Sequence, residues 1–259
     1  MKLLSVDCSA KSASCAISQD GKIIASSFIN VNLTHSQTLM PMVCDLLKNS
    51  KTSIEDIDAY AISAGPGSFT GVRIGISAIK GMAIIKNSPC IAVSTLYAIA
   101  QNFRDRDALV CAVMDARCKQ VYGALFRVKN GKIKRLCEDR AVKIEEFANE
   151  IKKSRVSCPI IIAGDGAAIF YSAVQDKKNV VLSDEAFRYQ NGVGVALAGF
   201  ESYNEGNFTT PEQLLPIYLR LPQAERELNA KQNKQTRIIR TCLKRHSFGT
   251  FRFVITRRR

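Results

Sequence analysis

The chain opens with short apolar runs that are separated by polar turns. Residues 2–7 form an apolar run that ends in an aspartate, and residues 13–19 and 22–29 follow it, joined by Asp20-Gly21. Asp-Gly favours a type I′ hairpin turn, because both central positions of that turn need a positive φ. The pattern therefore predicts a three-stranded antiparallel meander at the start of the chain.

Helices and parallel strands are predicted after this meander. Residues 34–47 carry apolar side chains at helical spacing and begin with Thr34, whose sequence matches a capping box. Pro41 lies inside this segment, and it either bends the helix or marks its first turn. The other elements predicted in this half are a buried strand at 58–64, a helix at about 72–86, a strand at 90–93 and a helix that ends near 103.

The same order of elements returns in the second half of the chain. Residues 108–115 form an apolar run that ends in an aspartate, and strands at 120–128 and 132–137 follow it, joined by Asn130-Gly131. A helix near 143–153, a strand at 159–163, a further helix and a short strand at 179–182 complete this half. This repeat of elements predicts an α/β fold of two related βββαβα lobes.

The repeat also sets the predicted domain organisation. We assign residues 1–105 to an N-terminal lobe, residues 106–225 to a C-terminal lobe and residues 226–259 to a basic tail. The tail holds most of the charge, because +10 of the formal net charge of +14 lies in residues 230–259, which contain no Asp or Glu. Its composition predicts disorder, and three interpretations stay open: a solvated extension, an electrostatic hold on RNA, or a frameshifted or read-through end with no selected role.

Composition excludes several other classes of protein. With 46% apolar and 23% charged residues, and no apolar run near twenty residues, we expect a cytoplasmic globular protein with no membrane span and no signal peptide. The nine cysteines form no CxxC pair, which favours buried free thiols in a reducing compartment. We expect no metal site, because the only histidines, His35 and His246, have no partner at ligand spacing.

The clearest local motif is the loop GPGSFTG at residues 65–71, between a predicted strand and a predicted helix. Free amides at a helix N-terminus can bind a phosphate or carboxylate, and Arg73 one turn later would add to such a site. The equally weighted alternative is a glycine turn that only packs strand against helix. The candidate anion-binding residues of this loop are Gly65, Gly67, Ser68, Gly71 and Arg73.

Further candidates lie where the other strands end. Asp7 with Ser9, and Asp115, follow the first strand of each half, and Gly164 and Gly166 follow the strand at 159–163. The aspartate turns can approach a phosphate or its magnesium in nucleotide-binding folds with duplicated halves, and the glycine turn at 164–167 could wrap a nucleoside. We favour the simpler interpretation that each aspartate caps its own turn. No Ser-His-Asp, Cys-His or paired-carboxylate arrangement is visible, so no catalytic residue is predicted.

Several segments together resemble the TsaB (YeaZ) family over residues 2–225, but not over the tail. The most specific are GPGSFTGVRIG at residues 65–75 and MDARCKQVYGALF at residues 114–126. The supporting segments are LLSVDCSAKSASCAI at 3–17, HSQTLMP at 35–41, AVSTL at 92–96, AGDGA at 163–167 and PIYLR at 216–220.

The resemblance implies an ASKHA (actin/Hsp70/sugar-kinase-like) fold and a non-catalytic role in tRNA modification. The expected role is to act as a scaffold or activator of the transferase TsaD, with the ATPase TsaE. Threonylcarbamoyl is then transferred to the adenosine next to the anticodon, in tRNAs that read codons beginning with adenine. No tightly bound cofactor is expected, although ATP or ADP could bind at the shared interface of the complex. TsaD carries an HxxxH metal pair where this chain has no histidine in residues 94–99.

The resemblance also implies a partner surface on the N-lobe helices near residues 36–49 and 71–86, which could form a homodimer when the partner is missing. A bulky charged change such as Gly75→Glu or Ala78→Glu is expected to abolish pairing while leaving some folded protein. The predicted partner residues are His35, Leu39, Val43, Leu46, Val72, Gly75, Ala78, Ile79 and Met82.

Two other functions stay open on the sequence. An active ASKHA-type ATPase or small-molecule kinase would need Asp7 and Asp115 to serve magnesium and catalysis. A stand-alone RNA-binding protein would use the basic tail, and its affinity would fall steeply with salt.

Overall fold

A computed structural model describes residues 1–31 and 33–220 of the chain, and Met1–Leu219 forms one compact unit. The predicted tail at 226–259 lies outside the described residues. The elements of the first half are β1 (Lys2–Asp7), β2 (Ala13–Gln19), β3 (Lys22–Ile29), α1 (His35–Asn49), β4 (Ala59–Gly65), α2 (Phe69–Ala83), β5 (Cys90–Ser94) and α3 (Thr95–Gln101), with a 3-10 turn at Ile54–Asp56.

The second half adds six strands and four helices within the described residues. They are β6 (Ala108–Asp115), β7 (Gln120–Lys129), β8 (Lys132–Arg135), β9 (Arg140–Lys143), α4 (Ile144–Lys153), β10 (Ile160–Ala163), α5 (Ala167–Tyr171), β11 (Val180–Leu182), α6 (Glu185–Arg188) and α7 (Gly192–Asn204).

The two sheets share one topology. The first sheet has the order β3-β2-β1-β4-β5, and the second has the order β8-β7-β6-β10-β11 with β9 paired to β7. In both sheets the first three strands are antiparallel and the last two add in parallel. Both hairpin turns have the predicted conformation, with φ of 50° and 77° at Asp20-Gly21 and of 50° and 73° at Asn130-Gly131. The predicted pair of related lobes with an ASKHA fold is therefore confirmed.

The first sheet is buried on both faces. One face packs against α1 and α2 through side chains such as Leu4, Ile17 and Ile62. The other face packs against α3 and α7, where Leu3, Ala61 and Val195 belong to one buried cluster. This double burial explains why β4 is apolar along its whole length rather than alternating.

The last part of the described chain returns to the first sheet. Helix α7 follows the second sheet in sequence but lies on the first, where Gly199 lets it approach Ala61 closely. The two sheets separate between Ser94 and Ala108, but α7, from the second half of the sequence, packs on the first sheet. The domain division at residue 105 therefore stays a prediction. Beyond α7, Thr209 pairs with Cys90 as an isolated bridge, and the chain then runs to Leu219 without forming a strand.

Three local expectations are modified by the structure. Helix α1 continues through Pro41, which lies on its exposed side. Thr34 does precede this helix, but its side chain makes no capping hydrogen bond and contacts the Ser36 hydroxyl instead. Helix α2 begins at Phe69 rather than at Val72, because Ser68 caps it by accepting a hydrogen bond from the Gly71 amide.

Candidate functional site

The turn after β1 is built around a buried carboxylate. Asp7 is 0% exposed, and its Oδ1 accepts hydrogen bonds from the amide and the hydroxyl of Ser9, each at 2.9 Å. The Ser63 hydroxyl donates to Oδ2. Burial raises the pKa of Asp7, while the hydrogen bonds from Ser63 and Ser9 oppose that rise. Asp7 therefore caps its own turn, and its oxygen atoms face protein donors rather than solvent.

The glycine loop packs against this turn. A Cβ on Gly67 would lie 2.4 Å from the Ser9 carbonyl oxygen, and one on Gly71 would lie 2.0 Å from that of Cys8. The Ser68 amide donates to the Ser9 carbonyl at 2.7 Å. These glycines are thus required for close contact between α2 and the β1–β2 turn, as the packing interpretation predicts.

Gly65 makes room for a different part of the chain. It has a φ of 134°, and a Cβ there would lie 2.2 Å from the carbonyl oxygen of Ile217. The Ile217 amide donates to the Ala64 carbonyl at 2.7 Å. The segment that resembles PIYLR therefore lies across the start of the glycine loop.

Arg73 points toward this same segment. Its Nε donates to the Tyr218 hydroxyl at 2.6 Å, and its Cζ lies 5.5 Å from the Tyr218 ring centroid. The Tyr218 ring stacks on Phe69 with centroids 4.5 Å apart. Arg73 is thus held beside the first turn of α2 by an aromatic pair.

The second lobe repeats the arrangement of the first. Oδ1 of Asp115 accepts the Arg117 amide at 2.7 Å, as a capping residue would. Gly164 has a φ of 109°, and a Cβ on it would lie 2.0 Å from the Val113 carbonyl oxygen. A Cβ on Gly166 would lie 2.7 Å from the Met114 carbonyl carbon. In both lobes, therefore, a glycine turn packs against the carboxyl end of the first strand.

A small polar cavity of about 320 Å³ lies near these turns. Asp165 reaches it from the second lobe, and its Oδ1 accepts a hydrogen bond from Gln190 Nε2 at 2.8 Å. Burial raises the pKa of Asp165 to about 6, and the nearby carboxylate of Asp115 adds to the rise. The cavity is lined by Ala10, Lys11, Ser12, Asn30, Asp165 and Tyr189.

Most of the predicted partner residues belong to the core of the first lobe. Their apolar stripe faces the sheet, so these side chains are not available to a partner in this fold. Gly75 faces the end of Ile62, 2.7 Å from where its Cβ would be, so Gly75→Glu is expected to disrupt the fold itself. The predicted partner residues with no more than 6% exposure are Leu39, Val43, Leu46, Val72 and Ile79.

The same two helices expose other side chains. His35, Ala78 and Met82 are half-buried, and Nε2 of His35 lies 2.7 Å from the Ala10 carbonyl oxygen. Met40 is 40% exposed, and Gly81 has no atom within 4 Å of its Cβ position. A partner surface on α1 and α2 stays a prediction, and these are the positions that can form it.

Three residues of this region were not found from sequence. Tyr218 and Ile217 lie far from the glycine loop in sequence, and the resemblance of PIYLR at 216–220 is the one sequence signal that includes them. Asp165 lies inside the GDGA turn, but no sequence pattern distinguishes its carboxylate. Among the described residues, no group of three or more His, Cys, Asp and Glu side chains is placed to hold a metal ion. None of the described helices has the length and apolar character needed to cross a bilayer.

Comparison with known proteins gives consistent matches. The family model described as "TsaD: tRNA N6-adenosine threonylcarbamoyltransferase" matches residues 27–227. The chain is 33% identical to the tRNA threonylcarbamoyladenosine biosynthesis protein TsaB of Escherichia coli, over 90% of this chain and 100% of that protein. It is 30% identical to TsaB of Bacillus subtilis, over 87% of this chain and 96% of that protein.

Solved structures agree with these matches. The structure described as YeaZ from Pseudomonas aeruginosa aligns with a TM-score of 0.70 and 29% identity, over 84% of this chain and 99% of that one. Two lobes of one topology, each with a glycine turn packed against the carboxyl end of its first strand, define a two-lobed ASKHA-type protein. The chain belongs to the TsaB family of tRNA threonylcarbamoyladenosine biosynthesis proteins, within the wider family that the TsaD model describes.

Proposed function

We propose that this chain acts in tRNA threonylcarbamoyladenosine biosynthesis as a non-catalytic subunit that binds and activates a TsaD-like transferase. The main support for this proposal is the match to the complete length of the Escherichia coli TsaB protein at 33% identity. The proposed complex also includes a TsaE-like ATPase and tRNA. Its product is threonylcarbamoyl on the adenosine next to the anticodon in tRNAs that read codons beginning with adenine.

The segment at the end of β5 supports a non-catalytic role. Here the Ser94 hydroxyl caps α3 by accepting from the Tyr97 amide at 3.1 Å, and it donates to Asp139 Oδ2 at 2.5 Å. Thr95, Leu96 and Ile99 are 0% exposed. Side chains that cap a helix and fill a core, with no imidazole among them, are not suited to hold a catalytic metal.

The buried turn after β1 disfavours the alternative function of an active kinase or ATPase. In proteins, magnesium usually keeps several bound waters and is held by one or two carboxylates together with phosphates of the substrate. A carboxylate that binds it therefore needs an oxygen atom free of other partners. Both oxygens of Asp7 already accept hydrogen bonds from Ser9 and Ser63 inside the protein. We therefore propose that ATP or ADP, where it takes part, binds at the interface that the complex shares rather than at this turn.

The proposed partner surface is the exposed side of α1 and α2. Ser77 is exposed on α2, and Gly81 leaves open space beside it. A helix of a partner can approach closely where side chains are this small. Met40 on α1 supplies apolar area to the same kind of contact.

The test is to mix the purified chain with its cognate TsaD-like protein and measure the complex by size exclusion with light scattering. Ser77→Glu should prevent complex formation, while Ala168→Glu, a change at another exposed position, on α5, should not. tRNA modification with TsaE, ATP and threonylcarbamoyl-adenylate should follow the same order. A folded wild-type chain that forms no complex would refute the proposal.

A further inference from the structure

The segment from Thr209 to Leu219, called the strap below, runs along one side of α2. At one end of the helix, Lys80 Nζ donates to the carbonyl of Glu212 at 3.0 Å. At the other end, Arg73 Nε donates to the Tyr218 hydroxyl at 2.6 Å. Between these contacts Leu214 is fully buried in the core of the first lobe. The strap is therefore fixed along the helix that carries the proposed partner surface.

Arg73 is held by groups that carry no charge. One side of its guanidinium lies over the Tyr218 ring, which in turn stacks on Phe69. Cation–π contact and one hydrogen bond restrict the long side chain and reduce the entropy that it would lose on binding. The head group is thus oriented before any ligand arrives.

No acidic group neutralises this fixed cation within the described part of the chain. Four other arginines, Arg104, Arg117, Arg135 and Arg140, each lie within 4.0 Å of a carboxylate oxygen. Arg106, Arg127, Arg155 and Arg188 form no such ion pair with a described residue, so the aromatic contact is what distinguishes Arg73 from them. Arg73 is exposed, and Tyr218 is its single hydrogen-bond partner among the described residues. Four of the five N–H donors of its guanidinium therefore have no hydrogen-bond partner in the described part of the chain.

We propose that Arg73 binds a carboxylate side chain of the partner protein, and that Tyr218 and Phe69 position the guanidinium for that contact. This inference rests on the proposed function. A carboxylate fits because the free edge of a guanidinium can donate two parallel hydrogen bonds to its two oxygens. The strap makes the contact specific, because it holds the guanidinium at a fixed place on the rim of α2.

The experiment measures the affinity of the cognate transferase for four variants by isothermal titration calorimetry at several salt concentrations. Arg73→Gln should weaken binding roughly tenfold and reduce the salt dependence of the affinity. Arg73→Lys should recover little, because an ammonium group cannot donate in the forked geometry. Tyr218→Phe keeps the ring stack but removes the hydrogen bond, and should weaken binding roughly threefold.

Arg155→Gln is the matched control, since it removes the same charge from an exposed position in the second lobe. It should bind like the wild type, and all four variants should keep the wild-type unfolding temperature. Arg73→Gln with the affinity of Arg155→Gln would overturn this inference while leaving the proposed function intact. Full recovery by Arg73→Lys would overturn the forked contact. A wild-type chain that binds no transferase would overturn both proposals.

Discussion

Two glycines of α2 allow a matched test of how tightly this helix is packed. Gly71 and Gly81 lie in the same helix, and each can be changed to alanine. At Gly71 the new Cβ would lie 2.0 Å from the backbone oxygen of Cys8 and 3.1 Å from Cδ2 of His35. At Gly81 the new Cβ would meet no atom within 4 Å.

The expected effects have opposite signs. A backbone oxygen cannot move aside as a flexible side chain can, so Gly71→Ala should cost the upper part of the overpacking range, about 3 kcal/mol. Gly81→Ala removes the backbone entropy of a helical glycine and should stabilise the fold by about 0.5–1 kcal/mol. In a chain of this size the two variants should differ in unfolding temperature by roughly 7–15 °C.

The assay is urea unfolding followed by circular dichroism, with thermal unfolding as a second measurement. Gly75→Ala is a useful intermediate, because the one overly close contact of its Cβ would be with the flexible end of the Ile62 side chain, at 2.7 Å. The predicted order of stability is Gly81→Ala, wild type, Gly75→Ala and Gly71→Ala. Equal stability of the Gly71 and Gly81 variants would refute the close packing of α2 on the β1–β2 turn.

Three further results are expected. Burial raises the pKa of Asp165 to about 6, so its contribution to stability is present below about pH 4 and is lost as pH rises through 6. Asp165→Asn should therefore gain stability relative to the wild type between pH 4 and 7, by at most about 3 kcal/mol; a constant difference in urea midpoint would contradict this. Burial raises the pKa of the Cys15 thiol to about 12, whereas Cys44 and Cys118 are exposed. Iodoacetamide should therefore label Cys44 and Cys118 of the native chain before it labels Cys15. Rapid labelling of Cys15 would show that the core opens readily. Calorimetric titration with ADP should show tighter binding to the complex with the transferase than to this chain alone, and equal affinities would place the nucleotide within the chain.

Much of the fold follows from local signals. Asp20-Gly21 and Asn130-Gly131 adopt the turns that their sequences predict, because few other residues tolerate a positive φ there. The apolar runs that become β4 and β6 are buried along almost their whole length, which identifies them as central strands. These features also reveal the repeated order of elements.

The site was harder to predict, because helical periodicity does not indicate whether an apolar stripe packs on the chain's own sheet or binds a partner protein. Leu39, Val43 and Ile79 have the spacing of a partner-binding face, but they pack onto the sheet of their own lobe. The exposed positions on the same helices, such as Ser77 and Gly81, carry no hydrophobic signal of their own. Periodicity therefore located the helices and left their outer surface undetermined.

The sequence by itself determined most of the strands, the tight turns and the glycines that each turn needs, because these depend on neighbouring residues; β9 at Arg140–Lys143 was the exception. Only the tertiary structure decided what those glycines approach and which groups surround the charged residues. Arg73 and Tyr218 meet across a separation of 145 residues, and Asp7 meets Ser63 across 56. Contacts between such distant positions depend on how sheets and helices stack, and no local pattern of residue types encodes them.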